Sequence, residues 1–170
     1  MLRSPRSPTR RLVVRTGTLV ALAPFASRVA CEARAAETQS LDGSRSPQAL
    51  LARRDALVVV ALFSVPGCPW CEVVRRNYLR HLEGAVRGIR VAEYGITDRR
   101  EFQHAASGDT PNGPAALAKS LGIRFSPTVA FLGDDSRELA ERLVGYNSPD
   151  FYGAYLDARI AHALARAGEK

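Results

Sequence analysis

Leu57-Val-Val-Val-Ala-Leu-Phe63, Ser64-Val-Pro-Gly67 and Cys68-Pro-Trp-Cys71 run together, and these fifteen residues decide how the chain is read. The first seven are apolar, with three consecutive valines and none of the polar alternation of a half-exposed strand. Such a run fits a strand buried on both faces. Ser64 to Gly67 breaks it. A helix is then expected from Cys68 or Pro69 to about Leu82, because Val73, Val74, Tyr78, Leu79 and Leu82 recur at helical spacing. Arg75, Arg76 and Arg80 fall off that stripe and are expected on a solvated face.

The handover from strand to helix gives the cysteines a purpose. It places Cys68 at a helix N-terminus, where unpaired backbone N–H groups stabilise a thiolate. Cysteines of the Cys-x-x-Cys pattern ionise more readily than free cysteine. The i, i+3 spacing brings Cys71 within bonding range of Cys68 once the first turn forms. Pro69 has no N–H to orphan at that position and presets φ, while Gly67 ends the preceding segment. The expected chemistry is attack by the Cys68 thiolate on a substrate disulfide, giving a mixed disulfide that Cys71 then resolves. The redox group is the Cys68–Cys71 disulfide itself, and no added cofactor is expected. Structural zinc wants four ligands, and His81, His104 and His162 show no ligand spacing, so no metal is expected.

Outward from this centre, Ser46 and Pro47 offer a cap and first position for a helix to about Asp55. Ile89 to Ile96 reads as a second strand, with Ile89, Val91 and Glu93 on one side. A short helix is expected around Arg99 to Ala106, then a turn-rich stretch, then a helix from Pro114 to Leu121 ended by Gly122. Thr128–Leu132 and Glu138–Val144 are strands joined by the hairpin signal Gly133-Asp-Asp-Ser136. Asp134 and Asp135 are turn residues. Ser148 and Pro149 open a last helix over about 150–167, with Phe151, Tyr155, Leu156, Ile160 and Leu164 as its apolar face. Phe63, Phe125 and Phe131 are expected in the core. The order implies an α/β domain over 47–167, with a mixed central sheet of about four strands flanked by helices on both faces.

Charge is unevenly spread. Residues 1–35 hold seven arginines and a single acid, Glu32, out of 24 basic and 17 acidic side chains in the chain. The body is therefore nearly neutral and lacks the basic balance of a nucleic-acid-binding domain. An Arg-rich start, the modestly apolar 16–26 and Ala33-Arg34-Ala35 compose an export signal over 1–35. Thr9-Arg10-Arg11-Leu12-Val13 resembles a twin-arginine signal, with general secretion as the other route. Arg28 stands where a lipoprotein site at Cys31 would carry Leu. Residues 36–46 are small and polar and are expected to be a flexible leader. No apolar run is long enough for a stable membrane span. The expected compartment is the periplasm, where cleavage would leave Cys68 and Cys71 as the two cysteines.

Three segments resemble the thioredoxin superfamily, over about 47–165: the Cys-Pro-Trp-Cys turn, Ala116 to Phe131 with its Gly122-Ile-Arg-Phe-Ser-Pro-Thr128, and Leu143-Val-Gly-Tyr146. The resemblance implies a thioredoxin-like fold and thiol–disulfide exchange with protein substrates. It implies that Pro127 is cis and faces the cysteines, and that Pro127 and the backbone of Ser126 hold a substrate chain beside Cys68. Trp70 either stacks on that substrate or packs across the turn. Tyr146 and Phe151 are expected to pack in the core, with a place at the site rim as the alternative. Within the superfamily the chain looks like small periplasmic thioredoxin-like proteins, including those linked to sulfur oxidation. One departure stands out: the family's buried Asp, six residues before the first cysteine, is here Leu62. Glu93 is a substitute proton acceptor by strand position, although a solvent-facing side chain is the expectation there.

The leading function is thus an exported thiol–disulfide oxidoreductase, expected as a reductase kept reduced by a membrane electron donor. The alternatives are a redox-sensitive adaptor that binds one partner near Pro127, and a glutathione-linked enzyme.

Overall fold

The computed structural model describes residues 41–52, 55–105, 111–147 and 149–169. The expected export signal over 1–35, the start of the leader and the capping role of Ser148 lie outside them. Four strands form one sheet in the order β2-β1-β3-β4, with β1 Ala56–Ser64, β2 Gly88–Gly95, β3 Thr128–Leu132 and β4 Glu138–Val144. β1 and β2 are parallel, whereas β1 with β3 and β3 with β4 are antiparallel. The mixed sheet read from the sequence is the one that forms.

β1 is central, and its side chains feed two cores by alternation. Val58, Val60 and Leu62 join Val74, Leu79, Val91, Leu156 and Ile160 on one face. Val59, Ala61 and Phe63 join Leu50, Tyr94, Leu117 and Ile123 on the other. The first face is covered by α2 (Pro69–Val74), its continuation, and α4 (Pro149–Gly168); the second by α1 (Pro47–Leu51) and α3 (Pro114–Ser120). A strand with no polar face needs such cover on both sides.

The structure corrects several expectations. The residues at 41–46 are not a free leader. Ser46 is buried and caps α1 through Oγ, which accepts from the Ala49 N–H at 3.1 Å. The Ser46 N–H donates to the His104 carbonyl, and the Tyr94 hydroxyl to the Arg45 carbonyl at 2.9 Å. Gly43 lies so close to β2 that a Cβ there would sit 1.9 Å from the Glu93 carbonyl oxygen. The helix expected to reach Asp55 stops at Leu51, and Asp55 instead receives Arg90 at 2.6 Å. No helix forms over 99–105; the Phe102 and Gln103 N–H groups donate instead to the carbonyls of Asn112 and Ser44. The helix after the cysteines does not stay α: Arg75–Leu79 is a π turn, closed by the Arg80 N–H on the Arg75 carbonyl at 2.9 Å. The extra residue lets Val74 and Leu79, five apart, both reach the core.

Candidate functional site

Gly67 turns the chain after β1 with φ +73°, a backbone that glycine adopts at little cost. Cys68 follows as the N-cap of α2, and its Sγ accepts from the Cys71 N–H at 3.1 Å. Pro69 occupies the first helical position. Cys68 and Cys71 are joined as a disulfide, with Cα atoms 5.3 Å apart. They differ in access: Cys68 is half-buried at the surface, while Cys71 is 1% exposed beneath it. The sulfur at the helix start is thus the one open to a partner.

The sheet brings three further segments to the same end. Phe63 of β1 is in register with Thr128 of β3, so Pro127 emerges beside the strand that leads to Cys68. The Ser126–Pro127 bond is cis, with Pro127 buried and Ser126 half-buried. The Gly145 N–H donates to the Pro127 carbonyl at 2.7 Å, which fixes the end of β4 against it. Tyr146 then meets Trp70, with ring centroids 5.8 Å apart. Behind them, the Tyr78 and Tyr146 hydroxyls are 3.0 Å apart, and Tyr146 packs on Tyr152 at 5.1 Å. The bond to Tyr146 raises the Tyr78 hydroxyl above its ordinary value. Trp70 remains 58% exposed, so its packing on Tyr146 leaves a face for a ligand.

On the side of β2 the turn meets charge. Leu62 is fully buried and in register with Glu93 of the neighbouring strand. Glu93 does not face solvent. Its carboxylate accepts from Ser64 Oγ at 2.6 Å and from Arg75 Nε and Nη2 at 2.6 and 2.5 Å. Arg75 also pairs with Glu72. The side chains of Arg75 and Glu93 are 14% and 10% exposed, so Arg75 leaves the solvated face expected for it. The bonds to Glu93 hold its guanidinium even more firmly protonated than usual. Arg76 is exposed as expected, and Arg80 is half-buried. A cleft of about 690 Å³ joins Cys68 to Glu72, Arg75 and Glu93, and to Asp98 and Arg100 across from them. Arg100 binds Asp98 at 2.8 Å and lowers its carboxyl below the ordinary value.

Two aromatic expectations fail. Phe125 is 70% exposed rather than core, because the chain turns sharply between Gly122 and the cis proline and no layer among the described residues buries it. On α4 the buried stripe is Tyr152, Leu156, Ile160 and Ala163, so Phe151 and Tyr155 lie outside the core. Tyr152 was the residue to find, as 152, 156, 160 and 163 keep helical spacing. The Arg75–Glu93 pair had no comparable signal, since its members are eighteen residues apart on different elements.

Residues 48–160 match the family profile described as a thioredoxin-like domain. Among solved structures the chain is similar to the periplasmic thioredoxin SoxS of Paracoccus pantotrophus in its reduced form. Identity is 22%, with 62% of this chain and 98% of that one covered, at a TM-score of 0.40. It is also similar to oxidised mitochondrial thioredoxin 3 of Saccharomyces cerevisiae, at 14% identity, 73% and 95% coverage and a TM-score of 0.48. No curated protein matches the chain.

Proposed function

Because the chain belongs to the thioredoxin-like domain family and is a thiol–disulfide oxidoreductase with a Cys-x-x-Cys pair, we propose that it works in the bacterial periplasm on protein substrates, as a reductase. The observation that carries this reading is the asymmetric Cys68–Cys71 disulfide, one sulfur accessible at a helix start and the other buried. In the reduced protein the Cys68 thiolate attacks a substrate disulfide. One substrate sulfur leaves as thiolate and a mixed disulfide forms. Cys71 gives up its proton and attacks Cys68 Sγ, releasing the substrate as a dithiol and restoring the bond seen here. Two electrons pass to the substrate, and a membrane electron donor returns them.

Trp70, Ser126 and Pro127 are the surfaces on which the substrate chain would lie. Export is read from the N-terminal segment: the Arg-rich start, weakly apolar stretch and Ala33-Arg34-Ala35 support it. Among the described residues no helix is long and apolar enough to cross a membrane. Insulin reduction tests the chemistry. Cys68→Ser is expected to reduce turnover to background, and Cys71→Ser to leave substrates trapped as mixed disulfides. Unchanged turnover in Cys68→Ser would overturn the proposal. A single trapped protein in Cys71→Ser would replace the general reductase by the adaptor reading.

A further inference from the structure

Resting on the exchange reading above, we propose that Arg75 and Glu93 act as a matched charge pair that sets how readily Cys68 ionises. The guanidinium favours the thiolate and the carboxylate opposes it. The placement follows from helix geometry. Glu72 and Arg75 lie four and seven residues after Cys68, which at about 100° per residue puts all three within one narrow stripe. Helical side chains lean toward the N-terminus, so Arg75 leans back along that stripe toward the cysteine. Both residues line the same cleft as Cys68. Glu93 enters it from β2, in register with Leu62, so the carboxylate in the cleft comes from the strand next to β1.

Glu93 is poorly suited to take a proton from Cys71. Its two oxygens accept from three donors, two of them on a cation. A carboxylate held in that way has both oxygens engaged, two of the bonds being charge-assisted. It therefore acts on the cysteine as a fixed charge. Among the described residues, the cleft that holds Cys68 is lined by charge from three elements. Its own helix supplies Glu72 and Arg75, and β2 supplies Glu93. The loop after β2 supplies Asp98 and Arg100, which pair with each other. Tyr146, in the turn after β4, packs on Trp70. Removing the Glu93 charge leaves the Arg75 cation shared with Glu72 alone. Removing Arg75 leaves two carboxylates on the cleft wall with no cation between them.

The two deletions must therefore push Cys68 in opposite directions, which a merely structural role would not do. The test is the pH profile of iodoacetamide alkylation at Cys68 in the reduced full chain, followed by peptide mass. Glu93→Gln is expected to shift the Cys68 profile down by between about 0.3 and 1 pH unit, and Arg75→Gln to shift it up by a similar amount. Arg75→Lys, which keeps the charge, and the double variant Arg75→Gln with Glu93→Gln should both stay near the unmodified protein. Shifts of the same sign overturn the proposal. So does a Glu93→Gln profile that is unmoved while mixed-disulfide resolution slows, because that is the behaviour of a proton acceptor. If Arg75→Gln fails to fold, Glu93→Gln decides alone, and an upward or absent shift overturns it. Insulin turnover of the unmodified protein, measured alongside, separates the two readings. Opposite shifts without turnover sink only the exchange function, and turnover without opposite shifts sinks only the charge pair.

Discussion

Toward the β4 edge of the sheet, the Cys68–Cys71 turn meets rings: Trp70 on Tyr146, with Tyr78 and Tyr152 behind. Toward the β2 edge it meets charges: Arg75 between Glu72 and Glu93, with Ser64 on the last. The ring flank opens outward through a Trp70 that is mostly exposed. The charged flank is largely buried, and each of its carboxylates is paired. Neutral rings tolerate exposure and present area to a partner at low entropic cost. Buried charges are stable only as a set, because removing one partner leaves the other without compensation. One flank thus leaves ring surface open, and the other keeps its charges paired beside the cysteine turn.

The contrast can be broken by mutation. The largest expected effect is on the charged flank: Arg75→Ala should cost about 2–3 kcal/mol, since it strands the Glu93 carboxylate in a site of little exposure. Urea unfolding measures this, and a loss under about 0.5 kcal/mol would mean that the pair is no more than a surface contact. A smaller effect of opposite sign is expected behind the rings. The Tyr152 hydroxyl is buried without a hydrogen-bond partner among the described residues, so Tyr152→Phe should stabilise by up to about 1 kcal/mol.

The same variant sharpens the pH dependence. Burial raises the Tyr94 and Tyr152 hydroxyls well above their ordinary value of 10.0. Below that value both states keep the proton and stability is complete. Above it the unfolded chain releases protons that the native chain retains, so stability falls as pH rises. Tyr152→Phe should flatten part of that alkaline loss in thermal melts, and an identical slope would show that the residue is not the source. The smallest effect on stability belongs to Trp70→Ala, expected under about 0.5 kcal/mol for so exposed a ring. KM for protein disulfides should nonetheless rise several-fold with the Cys68 alkylation profile unmoved. A shifted profile would erase the division between the flanks.

Much of the ring flank was legible in the sequence. Trp70 lies between two cysteines at the start of a helix, Pro127 follows the Gly122-Ile-Arg-Phe-Ser pattern, and Tyr146 follows Leu143-Val-Gly. Sequence pattern is silent where burial depends on which layer is missing. Phe125 looks like a core residue by composition, yet no element among the described residues covers it. Phe151 and Tyr155 lose to Tyr152 because the buried stripe of α4 keeps the expected Leu156 and Ile160 but extends from them to Tyr152 at the start of the helix. The charged flank was legible only as Glu93 on the face it shares with Ile89 and Val91, without its partners.

Taken alone, the sequence determined the chemistry and the architecture around it. A buried strand, a break and two cysteines three apart are neighbours along the chain, and local backbone geometry is enough to join them. Only the tertiary structure decided what electric field those cysteines feel. Glu93 and Arg75 come together through parallel pairing of β1 with β2 and docking of α2 across that pair, and Coulomb energy depends on distances that the order of residues does not contain.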